Sequence, residues 1–281
     1  MGTYFNIAGI SYTSEASAGA KYAVINNGGD SSNRPITFVS WFDAARFSNW
    51  MTNGQGGPGT TETGAYDLAT AASGVAPAKT PGAAFYIPTE NEWYKAAYYS
   101  PNYGGVGVPG YYAYATQSDT APGNVIGSTA NQANYLPGGV YSVTQSSSYS
   151  SGQNYLTNGG AFTGSPSFYG TFDQSGNVTE WNDLTGSAGS ARGLRGGDWN
   201  DSGSPFGVSF TSRGAVDPAV EFNDVGFRLA SPVPEIDPAG IGSVLGLLGG
   251  CLGLLEQRRK SARRSRAKTA PTDRLVCRLP T

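Results

Sequence analysis

The sequence predicts an irregular α+β domain with two short helices, short antiparallel strands and long loops, followed by one C-terminal transmembrane helix. Three observations carry this reading. There are 41 glycines and 17 tyrosines against only 14% charged residues, the composition of a loop-rich globule stapled by aromatic rings rather than of a helical bundle. Two stretches pair a capping hydroxyl with an acidic residue three positions on, just ahead of apolar residues at helical spacing. Residues 238–255 then run for 18 positions without a charge, directly before a basic tail.

Taken in chain order, residues 1–22 have neither a basic n-region nor an apolar h-region, so no secretory signal peptide is read there. Residues 5–10 read as mid-domain sequence, and the true start is expected upstream. The first helix is expected from Ser40 to about Met51. Ser40 with Asp43 forms its capping box, and Ala44, Phe47, Trp50 and Met51 fall near one face. Thr89 with Glu92 repeats the device, with Trp93, Ala96 and Ala97 as the inward stripe up to about Tyr98. Both helices are read as structural, because an aromatic stripe at helical spacing belongs to a core. Around them, short apolar runs are broken by Gly, Asn, Ser and Pro at 54–63, 100–110 and 145–160, which leaves little chain for regular strands. Gly105-Val106-Gly107-Val108-Pro109-Gly110 fits G-x-G-x-x-G, but it sits in a Tyr- and Pro-rich loop. With no strand before it and no helix after it, it is not a dinucleotide site.

Charge divides the chain. Up to Leu255, nine Lys and Arg face eighteen Asp and Glu, a formal −9, whereas residues 256–281 hold nine against two, a formal +7. At about 1.5 Å per residue the 238–255 segment spans roughly 27 Å, close to a bilayer's hydrocarbon core. Arg258, Arg259, Lys260, Arg263, Arg264, Arg266 and Lys268 follow it directly, so the positive-inside rule puts the tail in the cytoplasm and the domain outside. A nucleic-acid role for the tail is set aside, since the basic run abuts the membrane segment and lacks aromatics for stacking.

Histidine is absent, which removes the commonest general base and metal ligand, and with it any two-His-one-carboxylate iron site within this chain. Nucleophile elbow, P-loop and thiolate zinc motifs are also lacking. For acid–base chemistry the sequence offers Asp198 with Asp201, or Glu90 with Glu92.

Two blocks, Phe172-Asp173-Gln174-Ser175-Gly176-Asn177-Val178-Thr179-Glu180-Trp181 and Gly193-Leu194-Arg195-Gly196-Gly197-Asp198-Trp199, resemble the signature of the formylglycine-generating enzyme (sulfatase-modifying factor) family. PITFVSWFDAARFSNWM at 35–51, IPTENEWYKAA at 87–97 and GFRLA at 226–230 match in the same order. The resemblance implies an irregular C-type-lectin-like mixed fold. It also implies structural calcium in the 173–180 loop, with Asp173 and Glu180 as carboxylate ligands and Gly176 and Val178 as carbonyl ligands, the hard oxygen donors this ion prefers. A second family ion would lie near Asn134 and Tyr135, but its acidic ligand is missing around Gly159 or Gly160. Oxidase members bind copper through two cysteines after the Gly-Gly block, a task suited to soft thiolates. The matching positions here are about Asp201 and Phe206, and the only cysteines are Cys251 and Cys277. Copper and formylglycine formation are therefore not expected. Arg195 and Arg228 are expected to pair with a buried carboxylate such as Glu180 or to stack on Trp181.

Val233-Pro234-Glu235, the apolar segment and the basic cluster together resemble the PEP-CTERM sorting signal of bacterial exported proteins, which implies an exosortase-type membrane protease as partner. Ile236 stands where a second proline is usual, and the tail is longer than ordinary. The expected organisation is a domain at 1–230, a linker with the sorting motif at 231–237, a membrane helix at 238–255 and a cytoplasmic tail at 256–281. The expected role is a cell-envelope binding or structural module, with extracellular polysaccharide or another surface component as partner. The alternative is a metal-dependent oxidase of the same family acting on a protein or small molecule.

Overall fold

Among the described residues, Ser40 and Thr89 start two α-helices, α1 (Trp41–Thr52) and α2 (Glu90–Tyr98). In each, the cap hydroxyl accepts the amide of the third helical residue, and that residue's carboxylate accepts the cap amide. Two N–H groups that a helix start leaves unbonded are thus satisfied reciprocally. The computed structural model describes residues 10–17, 20–26, 28–201 and 207–232. These belong to a compact unit that ends at Pro232. Phe206, the motif Val233, Pro234 and Glu235, the 238–255 segment and the basic tail lie outside the described residues. Among the described residues no helix is long and apolar enough to cross a membrane.

The inward face of α1 differs from the expected stripe. Trp41, Phe42, Ala44, Ala45, Ser48 and Asn49 are buried, while Phe47 is exposed and Trp50 and Met51 are half-buried. The reason is hydrogen bonding that hydrophobic spacing does not register. The Asn49 amide donates to the carbonyls of Thr61 (2.7 Å) and Tyr66 (2.9 Å) and accepts the Tyr66 N–H (2.8 Å), so this polar side chain organises the following loop from inside. In α2, Trp93, Ala97 and Tyr98 are buried and Ala96 is half-buried.

The strands are short. β1 (Ile10–Tyr12) pairs with β2 (Tyr22–Val24), and β3 (Tyr99–Ser100) with β4 (Gly110–Tyr111), both antiparallel. The Gly105–Gly110 motif forms the end of the β3–β4 loop and the start of β4. A four-stranded sheet has the order β7 (Gly214–Val216), β6 (Arg192–Arg195), β5 (Thr179–Asn182), β8 (Val225–Phe227). Its β5–β8 pair is parallel, with Glu180 opposite Gly226, which corrects the expectation of antiparallel strands throughout. The chain crosses from β7 at one edge to β8 at the other, so β8 enters in the direction of β5.

Side chains alternate across this sheet. Trp181 and Leu194 face one core, where Trp41, Phe42, Tyr66, Leu68 and Ile87 are buried, and the Trp181 indole donates to the Val39 carbonyl (2.9 Å). Glu180 and its cross-strand partner Arg195 face the opposite side. A second core collects Leu136, Tyr141, Tyr155, Leu156, Val178 and Trp199, with Tyr155 stacked on Trp199 at 5.1 Å.

Candidate functional site

The 173–180 loop turns on left-handed backbone at Asp173 (φ 59°) and Asn177 (φ 68°), residue types that tolerate it. Gly176 (φ 91°) has no alternative, since a Cβ there would strike the Asn134 carbonyl. Asn177 then acts as a staple. Its N–H donates to the Asn134 carbonyl (2.7 Å), and its side-chain oxygen accepts from the Asn134 amide (3.0 Å) and from the Thr157 N–H (3.0 Å). Asn134, named for the second ion, is thus committed to packing.

Glu180 is 4% exposed. Its Oε1 accepts from Arg228 Nη2 (2.6 Å), and its Oε2 accepts from the Trp93 indole (2.6 Å) and from Arg228 Nε. Arg228 also donates to the Phe172 carbonyl (3.1 Å). Burial works against the Arg228 charge, but Glu180 outweighs it and holds the guanidinium above its ordinary pKa. Arg195 takes a different acid from the one expected. It pairs with Glu90 (2.5 Å), donates to the carbonyls of Phe210 and Ser212, and lies 5.0 Å from the Tyr94 ring.

Asp173, Val178, Glu180 and Arg228 border a cleft of about 590 Å³. Asp173 accepts the Gly160 N–H (2.7 Å), while burial pushes its carboxyl up. Three of the four residues named for calcium therefore meet at one cleft, and Gly176 packs away from it against Asn134. The set fits the ion in part only, because both Glu180 oxygens already serve Arg228 and Trp93. Among the described residues no group of three or more His, Cys, Asp or Glu could hold a metal ion.

Asp198 and Asp201 do come together. The Asp198 N–H donates to Asp201 Oδ2 (3.1 Å), the Asn200 N–H donates to Asp198 Oδ1 (2.8 Å), and the Leu136 N–H donates to the Asp201 carbonyl (3.1 Å). Gly197 (φ 68°) lets the chain pass where any Cβ would collide with Asp201. Burial, reinforced by the charges of Asp201 and Asp224, pushes the Asp198 carboxyl up to about 7, against the pull of the Asn200 amide and the Thr179 hydroxyl. At the position expected for a family cysteine, Asp201 thus closes a turn with its carboxylate. Glu90 and Glu92 do not form a pair, since Glu90 is held by Arg195 and Arg213 while Glu92 caps α2 and accepts from Tyr86.

Sequence reasoning missed a buried ion pair. Arg192 Nε lies 2.7 Å from Asp183 Oδ1, with both side chains at most 1% exposed. The Tyr66 hydroxyl donates to Asp183 Oδ2 (3.1 Å), and the Arg192 guanidinium lies 4.5 Å from the Trp41 ring. The scarcity of charge in this domain was the one signal that either residue has a fixed partner.

The family model of the sulfatase-modifying factor enzyme 1-like domain matches residues 10–233. Among solved structures, CarF is 23% identical at a TM-score of 0.46, over 73% of this chain and 69% of its own. Variable protein 1 of Treponema denticola is 22% identical at 0.42, over 78% and 76%. PvdO from Pseudomonas aeruginosa is 17% identical at 0.38, over 72% and 63%. No curated protein matches.

Proposed function

The chain belongs to the sulfatase-modifying factor enzyme 1-like domain family, and from that premise we propose that it is a non-catalytic member, a binding or structural module of the bacterial cell envelope. The observation that carries this is Asp201. At the position where the oxidase chemistry would need a thiolate stands a carboxylate spent on closing its own loop, and no cysteine or histidine occurs anywhere in 10–232. A carboxylate can neither exchange with a substrate thiol nor bind Cu(I) as a soft donor. The C-terminal sequence pattern supports export and tethering or sorting at the membrane, with an exosortase-type protease as the processing partner. Extracellular polysaccharide or another surface component is the proposed ligand.

Calcium at Asp173, Gly176, Val178 and Glu180 is a second proposal. The shared cleft favours it, and the Arg228 fork on Glu180 opposes it. Elemental mass spectrometry of the purified full chain tests both readings. The expected result is no copper or iron. About one calcium per chain, lost in Asp173→Ala, supports the ion. No calcium leaves Arg228 as the cation that closes the loop. Copper or iron near one per chain sinks the non-catalytic reading and favours the alternative, an oxidase that recruits its metal through other ligands.

A further inference from the structure

A row of aromatic rings runs along the surface next to α2, clear of the cleft, with Tyr94 at its inner end packed against the buried Trp93, Ala97 and Tyr98. It passes through Phe168, Tyr169, Tyr99, Tyr111 and Tyr94, with successive ring centroids 5.4, 6.3, 5.3 and 5.1 Å apart. Phe168, Tyr169 and Tyr111 are 40%, 49% and 46% exposed, and Tyr94 and Tyr99 are half-buried. Exposed aromatic surface of this continuity marks a contact site.

The row is preorganised. Tyr99 and Tyr111 stand directly opposite each other in the β3–β4 ladder, which puts both rings on one face. Phe168 and Tyr169 sit at the tip of a turn. The Ser167 N–H donates to the Thr171 carbonyl (2.8 Å), the Gly170 N–H donates to the Ser167 carbonyl (3.0 Å), and the Ser167 and Thr171 hydroxyls lie 2.6 Å apart. The Thr171 hydroxyl also reaches the Ala96 carbonyl in α2 (3.4 Å). Binding would therefore order little that folding has not already ordered.

The chemistry selects an occupant. The Tyr99 and Tyr169 rings lie within 16° of parallel, while Phe168 and Tyr111 stand edge-on to them at 86° and 66°. The row therefore offers a mixture of ring faces and edges to the C–H faces of pyranose units, and phenol hydroxyls bond to sugar hydroxyls. Single-stranded nucleic acid also stacks on such rows. However, the chain up to Leu255 carries a formal −9, which as a whole disfavours a phosphate backbone or an acidic glycan, even though Lys95 lies 5.6 Å from the Tyr99 ring and Arg195 5.0 Å from the Tyr94 ring. We propose that Phe168, Tyr169, Tyr99 and Tyr111 form a binding platform for a neutral polysaccharide. This rests on the binding-module reading and gives that module its site.

The test is affinity electrophoresis of the full chain in mild detergent, through gels containing a mixed-linkage β-glucan, a galactomannan, a dextran or the acidic polygalacturonate. A labelled oligo-dT is titrated in parallel. At least one neutral polysaccharide is expected to retard the protein. That retardation should weaken tenfold or more in Tyr169→Ala and in Tyr111→Ala, and stay unchanged in Phe222→Ala, an exposed ring outside the row. Circular dichroism verifies that each variant is folded. Retardation by no neutral polysaccharide, or binding only to polygalacturonate or oligo-dT, overturns the platform. Retardation unchanged in both row variants also overturns it, while leaving the binding module standing. A redox metal in the purified chain would instead remove the module reading itself.

Discussion

At Glu180 one carboxylate serves three donors, from Trp93 and Arg228, in a site 4% exposed. Removing it leaves a guanidinium and an indole without their partner, so Glu180→Ala is expected to cost about 3–5 kcal/mol in urea unfolding. A loss under about 1 kcal/mol would mean that Arg228 finds water instead. Asp198 makes a different prediction. Its carboxyl is pushed from 3.8 up to about 7 in the fold, so the folded chain holds a proton that the unfolded chain releases near pH 4. The stability from that proton is fully present below about pH 4 and is lost as pH rises through 7. Asp198→Asn keeps an acceptor for the Asn200 amide and has no proton to lose. It should shrink the fall in stability between pH 5 and pH 8 by about 2 kcal/mol. An unchanged pH profile in the variant would assign the titration to another group.

At the scale of elements, the two helix starts were legible because a capping box is local, with all its atoms inside four consecutive residues. Ser40→Ala should cost about 1 kcal/mol, seen as a drop of roughly 2–4 °C in the unfolding midpoint of a domain this size. No change would mean that α1 is held by packing alone. The inward face of α1 was not legible, because Asn49 is buried for the sake of carbonyls at Thr61 and Tyr66, beyond the helix. Nor was the parallel direction of β8, which depends on how the chain crosses the sheet and not on anything within Val225–Phe227.

Across the whole molecule, blocks far apart in sequence converge on one small sheet. Trp93 reaches Glu180 across 87 positions and Arg195 reaches Glu90 across 105. The compact unit ends at Pro232, so a chain truncated after Pro232 is expected to keep the full chain's unfolding midpoint and to move from the membrane fraction to the soluble one. A lowered midpoint would make the C-terminal segment part of the fold, and unchanged fractionation would remove its proposed role as an anchor. From residue identities alone came the family, both helix starts, and the absence of cysteine and histidine from residues 10–232, because each depends on which residues are present or on their close neighbours. The Arg228–Glu180 pair was expected from the sequence and is found, whereas the choice of Glu90 by Arg195, the turn-closing duty of Asp201 and the assembly of five rings into a row came only with the folded chain. The Arg195–Glu90 pair spans 105 positions and the rings come from 94–111 and 168–169, so their meeting is set by sheet order, crossover direction and burial. The Asp201 turn spans only three positions, but its closure depends on the backbone path through Gly197, which residue type alone does not declare.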